Sequence, residues 1–582
     1  MNIYDVSERA NVSIATVSRV INGNPNVSEK TRNRVLAVMD ELGYTPNVFA
    51  RSLGLNTMRT IGIMCADSSD PWLAGAIYYL EQELRRSGYD SLLCCSGYLP
   101  ETKKKYLELL LSNHCSSCTT CEKNGDCRLQ ELAKRFGIDR LRFEKPEEKK
   151  DRIDDSSPSI FRDPTKCILC GDCVRMCNEV QNVGAIDFAF RGSKMEVMPA
   201  FNEPIANTNC IGCGQCSAVC PTGAIVVKND TQKVWNALSD PDTKVIAQIA
   251  PAVRVGIGQD LGTKIGENTM GQIVAALRKM GFDLVFDTVT GADLTVLEES
   301  NEFLDRVKNG GKLPLFTSCC PGWIKHAEFK HPELMENISS CKSPMQMFGS
   351  VIKEFYKDDE KKIVNVAIMP CTAKKGEAAR DEFKVNGEPV IDYVITTQEL
   401  IKMIREANIA FTELLPEAVD LPFGINSGAG VIFGVTGGVT EAVLRYLMAD
   451  QPAANLHQIA FTGVRGLKGV KECTVDYNGI QVNIAIVNGL KNADELIEKI
   501  QSGEKQYHFV EVMACPNGCV CGGGQPYAFR RAGQRRADGL YEADRLSYIK
   551  TSQQNTTVQD LYKGLLKGKE HELLHVHYHG AK

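Results

Sequence analysis

Three loops that lie far apart in the sequence carry the residues best suited to chemistry. They are loop 316–323 with Cys319 and Cys320, loop 369–377 with Cys371, and loop 511–526 with Cys515 and Cys519. In the last loop three glycines follow the cysteines, and glycine lets main chain approach a bulky group closely because it has no Cβ. Together the loops can supply the four thiolates that a 4Fe–4S cube requires. Ordinary buried or free cysteines are the alternative, which the cysteine runs upstream disfavour.

Two of those upstream runs have the spacing of bacterial two-cluster ferredoxins. The pattern C-x2-C-x2-C-x3-C begins at Cys167 and again at Cys210. In such ferredoxins the fourth cysteine of each run ligates the other cluster. The expected ligand sets are therefore Cys167, Cys170, Cys173 and Cys220 for one cube, and Cys210, Cys213, Cys216 and Cys177 for the other.

A further segment offers one imidazole and three thiolates in the pattern H-x3-C-x2-C-x5-C. These residues are His114, Cys118, Cys121 and Cys127. On spacing alone, a Cys3His zinc site is the main alternative to an iron–sulfur cluster.

From about His114 to the C-terminus, these segments resemble iron-only (FeFe) hydrogenases. Their signature loops hold the H-cluster, a 4Fe–4S cube bridged to a two-iron unit with CO, CN and dithiolate ligands. The resemblance implies that the segment at His114 holds a third accessory 4Fe–4S cube. A 2Fe–2S cluster is not expected, because the spacing C-x4-C-x2-C…C is absent. The implied ligands of the H-cluster cube are Cys320, Cys371, Cys515 and Cys519, with Cys519 bridging to the two-iron unit.

The same resemblance assigns roles to residues around the two-iron unit. Lys374 matches a lysine that hydrogen-bonds a cyanide, and Met369 and Met513 match methionines that pack around the irons. By spacing alone, Glu299, Glu302 and Arg306 share one face of a helix, and such a face is more commonly a solvated charged surface. The implied proton relay runs in the order Cys319, Glu299, Ser339, Glu302 and Arg306.

The predicted fold is multidomain. From about residue 243, apolar strands alternate with amphipathic helices, which predicts α/β layers with parallel sheets and a site at the strand ends. The resemblance implies two such lobes with the H-cluster between them. An α+β two-cluster ferredoxin-like domain precedes this catalytic domain. The expected boundaries are 1–59 for a DNA-binding headpiece, 60–111 for a truncated fragment, 112–155 for the His/Cys3 cluster, 156–230 for the two-cluster domain, 243–530 for the catalytic domain and 531–582 for a tail like a small subunit.

The first 59 residues predict an all-α helix-turn-helix module. Ser13 is the expected N-cap of its second helix, and Val17, Val20 and Ile21 face inward at helical spacing. The module resembles the headpiece of LacI-type repressors. A small helical bundle that never meets DNA is the alternative. The residues expected to meet a DNA groove are Ile14, Ala15, Ser18 and Arg19, with Leu53 of a hinge helix wedged into the minor groove.

Residues 60–111 predict one βαβ unit of the sugar-binding-protein-like domain found in such repressors. One unit cannot close a sheet or form a ligand cleft. The sequence therefore indicates a junction near residue 112, whether a natural fusion, an engineered fusion or a mis-assembled gene.

The number of cysteines and the lack of an export signal point to an iron–sulfur protein of the cytoplasm. The chain carries 23 cysteines but no export signal, so metal ligation is favoured over disulfides. No apolar run approaches the length of a membrane span, and a net charge of −5 predicts no particular partner.

The tail contains a motif that points to different chemistry. His571, Glu572 and His575 spell H-E-x-x-H, the zinc-protease motif, but few residues follow and no third ligand is evident. Zinc proteolysis is therefore disfavoured. The tail more closely resembles the extension of hydrogenase subunits that work in NAD(P)-linked complexes.

The predicted function is the reaction 2H⁺ + 2e⁻ ⇌ H2 at an H-cluster, with electrons relayed through three 4Fe–4S cubes. The expected partners are ferredoxin or an NAD(P)-linked flavin subunit, the maturation proteins that install the two-iron unit, and DNA through residues 1–59 only. A hydrogen or redox sensor is one alternative, which the presence of Cys319, Glu299 and Glu302 disfavours. A DNA-binding regulator is the other, which the truncated effector fragment disfavours.

Overall fold

The computed structural model describes residues 3–21, 27–42, 60–65, 71–87, 89–95, 100–112, 114, 118–143, 153–191, 194–385, 387–448, 463–477, 479–527 and 530–580. The chain divides into two compact units, one of residues 1–112 and 132–144 and one of residues 113–131 and 145–582. None of the helices in these ranges combines the length and apolarity needed to cross a membrane.

The first unit begins with three short helices, Ile3–Arg9, Ile14–Ile21 and Glu29–Glu41. Valines from all three helices pack into one small core. Ser13 caps the second helix by accepting a hydrogen bond from the Thr16 N–H at 3.2 Å, as the sequence predicts.

One βαβ unit follows in the same part of the chain. Strands β1 (Thr60–Cys65) and β2 (Asp90–Cys95) pair in parallel, and helix Pro71–Arg86 connects them. Helix Pro100–Ser112 comes next. No third strand joins this sheet within the described residues. These elements make one βαβ unit.

The cysteine-rich part of the second unit contains only short elements. Strand β3 (Ile160–Arg162) pairs antiparallel with β6 (Ile225–Val227), and β4 (Asp187–Ala189) pairs antiparallel with β5 (Glu196–Met198). A small apolar core that includes Ile160, Ile186 and Ile205 packs against the cysteines. The helices of this part are Asp172–Arg175 and Gln215–Val219, and helix Arg128–Arg135 begins in this unit and ends in the first.

Two four-stranded sheets form the framework of the remaining chain. In the first, all strands are parallel, in the order β13 (Tyr393–Thr396), β10 (Lys362–Met369), β7 (Thr243–Ile249) and β8 (Leu284–Asp287). The second has the order β14 (Val470–Tyr477), β15 (Ile480–Asn488), β16 (Phe509–Met513) and β9 (Leu315–Phe316). Strands β11 (Lys384–Val385) and β12 (Glu388–Pro389) form a separate antiparallel pair.

The second sheet departs from the predicted parallel pattern at its edge. Strands β14 and β15 are antiparallel, whereas β15, β16 and β9 are parallel. The connection between Tyr477 and Ile480 is too short for the crossover that a parallel pair needs, so the two strands form a hairpin.

Helices cover both sheets and bury their apolar strands. Residues Val245, Ile246 and Ile249 of β7 are almost fully buried, as expected for a parallel strand covered on both faces. The helices are Thr231–Ser239, Val253–Gly256, Met270–Met280, Val289–Asn309, Pro321–Lys330, Pro344–Phe355, Ala373–Ala378, Thr397–Glu406, Gly428–Val431, Gly438–Leu447, Leu490–Gln501, Arg530–Leu546, Thr556–Lys563 and Glu570–Leu574.

The three cysteine loops follow three parallel strands directly. Loop 317–320 comes after β9, loop 370–372 after β10 and loop 514–519 after β16. Because the carboxyl ends of parallel strands are where α/β proteins place their sites, this topology brings the cysteines toward one place.

Candidate active site

An apolar cavity of about 90 Å³ lies at these strand ends. Apart from Lys374 and Thr288, the side chains that line it are thiols, thioethers, aliphatic groups or aromatic rings. The lining includes all the cysteines and methionines predicted for this site, which are Cys319, Cys320, Cys371, Cys515, Cys519, Met369 and Met513, together with Met345 and Phe433.

The donor set of this cavity fits an iron–sulfur cube. Burial raises the pKa of Cys371 to about 11, and it raises the pKa of Cys320 and Cys515 as well. Buried thiols of this kind become thiolates when a bound cation compensates their charge. Four of them at the wall of one apolar cavity therefore suit a cluster better than they suit an ordinary core.

Two glycines of the last loop also lie close to main chain of other loops. A Cβ on Gly522 would lie 2.2 Å from the Pro370 carbonyl oxygen, and one on Gly523 would lie 2.2 Å from the Cys213 carbonyl oxygen. These glycines thus let main chain approach other main chain. The close approach at Gly523 joins the ferredoxin-like segment to the wall of the cavity.

Gly523→Ala is expected to lower the free energy of unfolding by about 1–3 kcal/mol and to reduce the iron content. The added methyl group meets a backbone carbonyl, which cannot rotate away as a flexible side chain would. Thermal denaturation and iron analysis of the purified variant measure both effects. Gly376→Ala is the matched control, because its Cβ would have no neighbour closer than 3.7 Å. Equal behaviour of the two variants would contradict this account of the contact.

Lys374 presents a charged group at the cavity wall. Its Nζ donates to Glu377 Oε2 at 2.8 Å and to the Cys319 carbonyl oxygen at 3.2 Å. Burial disfavours the ammonium, but Glu377 outweighs that effect and the pKa of Lys374 is raised. The wall therefore carries one fixed cationic hydrogen-bond donor.

Glu299 is fully buried on helix Val289–Asn309. Neither of its carboxyl oxygens has a hydrogen-bond partner among the described residues. Burial raises the pKa of Glu299 to about 8 and Glu302 adds to the rise, whereas the more distant Ser318 N–H and Ser339 hydroxyl lower it only partly. A carboxyl group with such a pKa holds a proton at neutral pH and can still release it.

The outer part of the predicted relay is connected by hydrogen bonds. Ser339 Oγ donates to Glu302 Oε2 at 2.8 Å, and Arg306 Nη2 donates to Glu302 Oε1 at 2.5 Å. Cys319, Glu299 and Ser339 are buried, whereas the side chains of Glu302 and Arg306 are each 15% exposed. Cys319 thus lies on the cavity wall, while Glu302 and Arg306 reach the surface.

The structure also brings together each of the three accessory cysteine sets. Cys167, Cys170, Cys173 and Cys220 line one pocket, and His114, Cys118, Cys121 and Cys127 line another. The thiols of Cys177, Cys210, Cys213 and Cys216 lie close enough together that a negative charge on one raises the pKa of its neighbours. The crossed sets expected from ferredoxin spacing are thus adjacent in space.

The three sets and the cavity form a continuous series. A Cβ on Gly223 would lie 2.5 Å from Cys121 Sγ, which joins the set at His114 to the segment after Cys220. Cys173 lies close enough to Cys216 to raise its pKa, and Cys213 lies close enough to Cys515 to do the same.

Two histidine groups in this unit do not have the surroundings of a metal site. His575 already uses both ring nitrogens, at 2.9 Å from Ser340 Oγ and 3.0 Å from Glu298 Oε2. His326 and His331 both contact Asp494, but the Lys330 ammonium lies 2.6 Å from the same carboxylate and opposes a second cation.

The predicted DNA-contacting residues lie on the outer face of helix Ile14–Ile21. Ile14, Ala15 and Arg19 are exposed and Ser18 is half-buried, while Val17 and Val20 are buried in the helical core. Leu53 and the rest of the expected hinge helix lie outside the described residues.

Known families match successive parts of this chain. The family described as iron only hydrogenase large subunit, C-terminal domain, matches residues 243–523, and iron hydrogenase small subunit matches 531–581. The 4Fe-4S dicluster domain matches 166–224, and the NADH-ubiquinone oxidoreductase-G iron-sulfur binding region matches 103–142. Bacterial regulatory proteins of the lacI family match 2–47.

Individual relatives agree with this division. NADP-reducing hydrogenase subunit HndD of Solidesulfovibrio fructosivorans is 45% identical over 492 residues, 82% of this chain and 84% of that protein. The solved FeFe hydrogenase HydA1 of Chlamydomonas reinhardtii is 37% identical with a TM-score of 0.53, covering 61% of this chain and 99% of that one. An HTH-type transcriptional regulator of Lachnoclostridium phytofermentans is 76% identical over 112 residues, 19% of this chain and 34% of the regulator.

Those relatives and the cysteine-lined cavity at the strand ends lead to one assignment. The chain is an iron–sulfur oxidoreductase that belongs to the iron-only hydrogenase family, and it carries a LacI-type helix-turn-helix module at its N-terminus.

Proposed function

We propose that this chain catalyses 2H⁺ + 2e⁻ ⇌ H2 in the cavity at the strand ends. The observation that carries the proposal is the meeting of four thiols from three separate strand-end loops, with a fifth thiol, that of Cys319, on the same wall. The packing of an ordinary apolar core does not require five thiols at one place.

The cavity residues suit an H-cluster in their chemistry. Cys320, Cys371, Cys515 and Cys519 would hold it. When bound, the H-cluster supplies the metal centre at which protons and electrons combine. Met369 and Met513 exclude water from that centre, and the ammonium of Lys374 offers a hydrogen bond to an anionic ligand.

Protons would reach the cavity through side chains of this chain alone. The Cys319 thiol is the proton donor at the wall, and burial keeps it protonated by raising its pKa. Glu299 would restore that proton, and Ser339 and Glu302 would supply Glu299 from outside. Arg306 holds Glu302 in place at 2.5 Å. Cys319, Glu299, Ser339 and Glu302 carry groups that can each hold or pass a proton, which supports this order.

Electrons would enter through three accessory 4Fe–4S cubes. The series from the set at His114, through the set that contains Cys173, to the set that contains Cys213 ends beside Cys515. An NAD(P)-linked flavin subunit or ferredoxin is the proposed electron partner. Support comes from a relative that is named as an NADP-reducing hydrogenase subunit. Maturation proteins would install the two-iron unit.

Isotope exchange tests this function without an electron partner. The full chain, loaded with accessory cubes and a two-iron unit, is expected to form HD from D2 in H2O, measured by mass spectrometry. The same chain without the two-iron unit is the control and is expected to form none. A loaded chain with intact CO and CN infrared bands that formed no HD would overturn the proposal in favour of a sensor.

A second candidate function, DNA binding, has support in the exposed face of helix Ile14–Ile21. Arg19→Ala is expected to weaken binding to duplexes selected by the full chain from a random library by about tenfold, since one arginine–base contact is worth about 1–3 kcal/mol. Electrophoretic mobility shifts at fixed salt measure the affinity. Arg9→Ala is the control, because Arg9 pairs with Glu41. No selected duplex, or equal affinity of both variants, would sink this candidate.

A further inference from the structure

The second histidine of the H-E-x-x-H segment lies beside the outer end of the proposed relay. His575 follows helix Glu570–Leu574, and its backbone forms an antiparallel bridge with Cys341. Ser339, the relay serine, precedes that bridge by two positions. The C-terminal tail therefore places an imidazole where the relay approaches the surface.

Both ring nitrogens of His575 belong to one hydrogen-bonded chain. Nδ1 lies 2.9 Å from Ser340 Oγ, and Ser340 Oγ lies 3.2 Å from Glu302 Oε2. On the other side, Nε2 lies 3.0 Å from Glu298 Oε2, and the Tyr562 hydroxyl donates to the second oxygen of Glu298. This series of hydrogen bonds thus runs without a gap from the relay carboxylate Glu302 to a second carboxylate, Glu298.

The hydrogen-bonded chain through His575 reaches solvent to the same degree as Arg306, the last residue of the predicted relay. The side chains of His575 and Glu298 are 15% and 13% exposed, and that of Arg306 is 15% exposed. Arginine cannot give up its proton in a protein, so Arg306 can hold Glu302 but cannot accept a proton from it. An imidazole, in contrast, can accept a proton at one ring nitrogen and release one from the other.

We propose that His575 carries protons between Glu302 and the surface, through Ser340 on one side and Glu298 on the other. The inference rests on the proposed hydrogen chemistry and supplies the outer end of its proton path. It also gives the tail a part in that path, which the sequence motif alone does not suggest.

Every proton in the transfer can be followed. In the outward direction, the Glu302 carboxyl group donates its proton to Ser340 Oγ while the Ser340 hydroxyl proton moves to His575 Nδ1. The Nε2 proton of His575 passes to the Glu298 carboxylate, which releases it to water. The ring is left as the Nδ1–H tautomer. Exchange with solvent, in which water protonates Nε2 and another water removes the Nδ1 proton, restores the starting tautomer without net transfer, because the His575 side chain is 15% exposed. Inward transfer follows the reverse order.

Charged and titratable groups of both signs face His575. Helix Val289–Asn309 contributes Glu298 and Glu302, helix Thr556–Lys563 contributes Tyr562, and the bridged segment contributes Cys341 and Lys342. The ring of His571 lies 5.3 Å from that of His575 between centroids. Lys342 Nζ donates to the carbonyl oxygens of Glu572 and Leu573 at 3.0 Å.

His575→Ala is expected to lower hydrogen evolution by the loaded full chain at least about tenfold, a modest value for the loss of a proton-transfer group. Imidazole added to the buffer is expected to restore part of the rate, which it would not do if His575 only held the tail in place. His571→Ala is the matched control from the same motif and is expected to keep the parent rate. An unchanged rate in His575→Ala, or a lowered rate that imidazole leaves untouched, would overturn the proposal.

A second measurement does not depend on turnover. In the full chain without a two-iron unit, the infrared carboxylate band of Glu302, identified by its loss in Glu302→Gln, is expected to shift in one step as the pH is varied. That step is expected to vanish in His575→Asn, which keeps a polar group near Ser340, and to persist in His571→Ala. An identical step in His575→Asn would overturn the coupling. If the loaded parent formed no hydrogen, the proposed function would fail while this measurement still decided the coupling.

Discussion

Glu299→Gln is expected to lower hydrogen turnover about 100-fold or more, in the range found when a positioned proton-transfer group is lost. Glutamine fills the same space but cannot pass a proton between Cys319 and Ser339. Neither oxygen of Glu299 makes a close hydrogen bond among the described residues, so the substitution disturbs only the longer contacts with the Ser318 N–H and the Ser339 hydroxyl. Viologen-coupled hydrogen evolution by the loaded variant measures the effect. Turnover within a few-fold of the parent would remove Glu299 from the path.

The raised pKa of Glu299 also predicts how the stability of the protein changes with pH. Burial raises it from 4.5 to about 8, so the carboxyl group is protonated at neutral pH. Between those two values the folded state holds one proton more than the unfolded state, and the stability of the parent falls as pH rises. Glutamine removes this dependence. Urea denaturation at several pH values should show the variant gaining stability over the parent up to about pH 8, and the opposite trend would contradict the buried carboxyl.

Cys319→Ala is expected to leave less than about 1% of the parent activity while the H-cluster still assembles. Cys319 lies on the cavity wall and is not among the four proposed cube ligands. Lys374, the charged group on that wall, is already paired with Glu377. Hydrogen evolution, compared with CO and CN infrared bands of the same sample, separates loss of proton transfer from loss of the cluster.

Cys473→Ala is the matched control, because Cys473 lies in strand β14 and does not line the cavity. It is expected to behave as the parent does. Substantial activity in Cys319→Ala would show that another group donates the proton. Loss of the infrared bands in that variant would show instead that Cys319 takes part in holding the cluster.

The sequence predicted those parts of the site that depend on local spacing and strand order. The crossed sets with Cys220 and Cys177 follow from a repeated motif whose geometry is shared by two-cluster ferredoxins. Alternation of strands and helices predicted a site at strand ends, and the loops after Phe316, Met369 and Met513 meet there.

Other features depend on contacts between distant segments, and spacing does not encode those. The face that carries Glu299 has the pattern of a solvated surface, yet Glu299 is fully buried. The glycines after Cys521 pack against Pro370 and Cys213. His575 lies far along the chain from Glu298, and only the folded tail brings the two together.

The most direct test of this account is hydrogen evolution from reduced methyl viologen by the full chain, compared before and after the two-iron unit is installed. We predict hydrogen from the loaded chain alone, at a rate that scales with the intensity of its CO and CN infrared bands. A loaded chain that showed those bands and evolved no hydrogen would contradict the claim that this cavity is a hydrogenase active site.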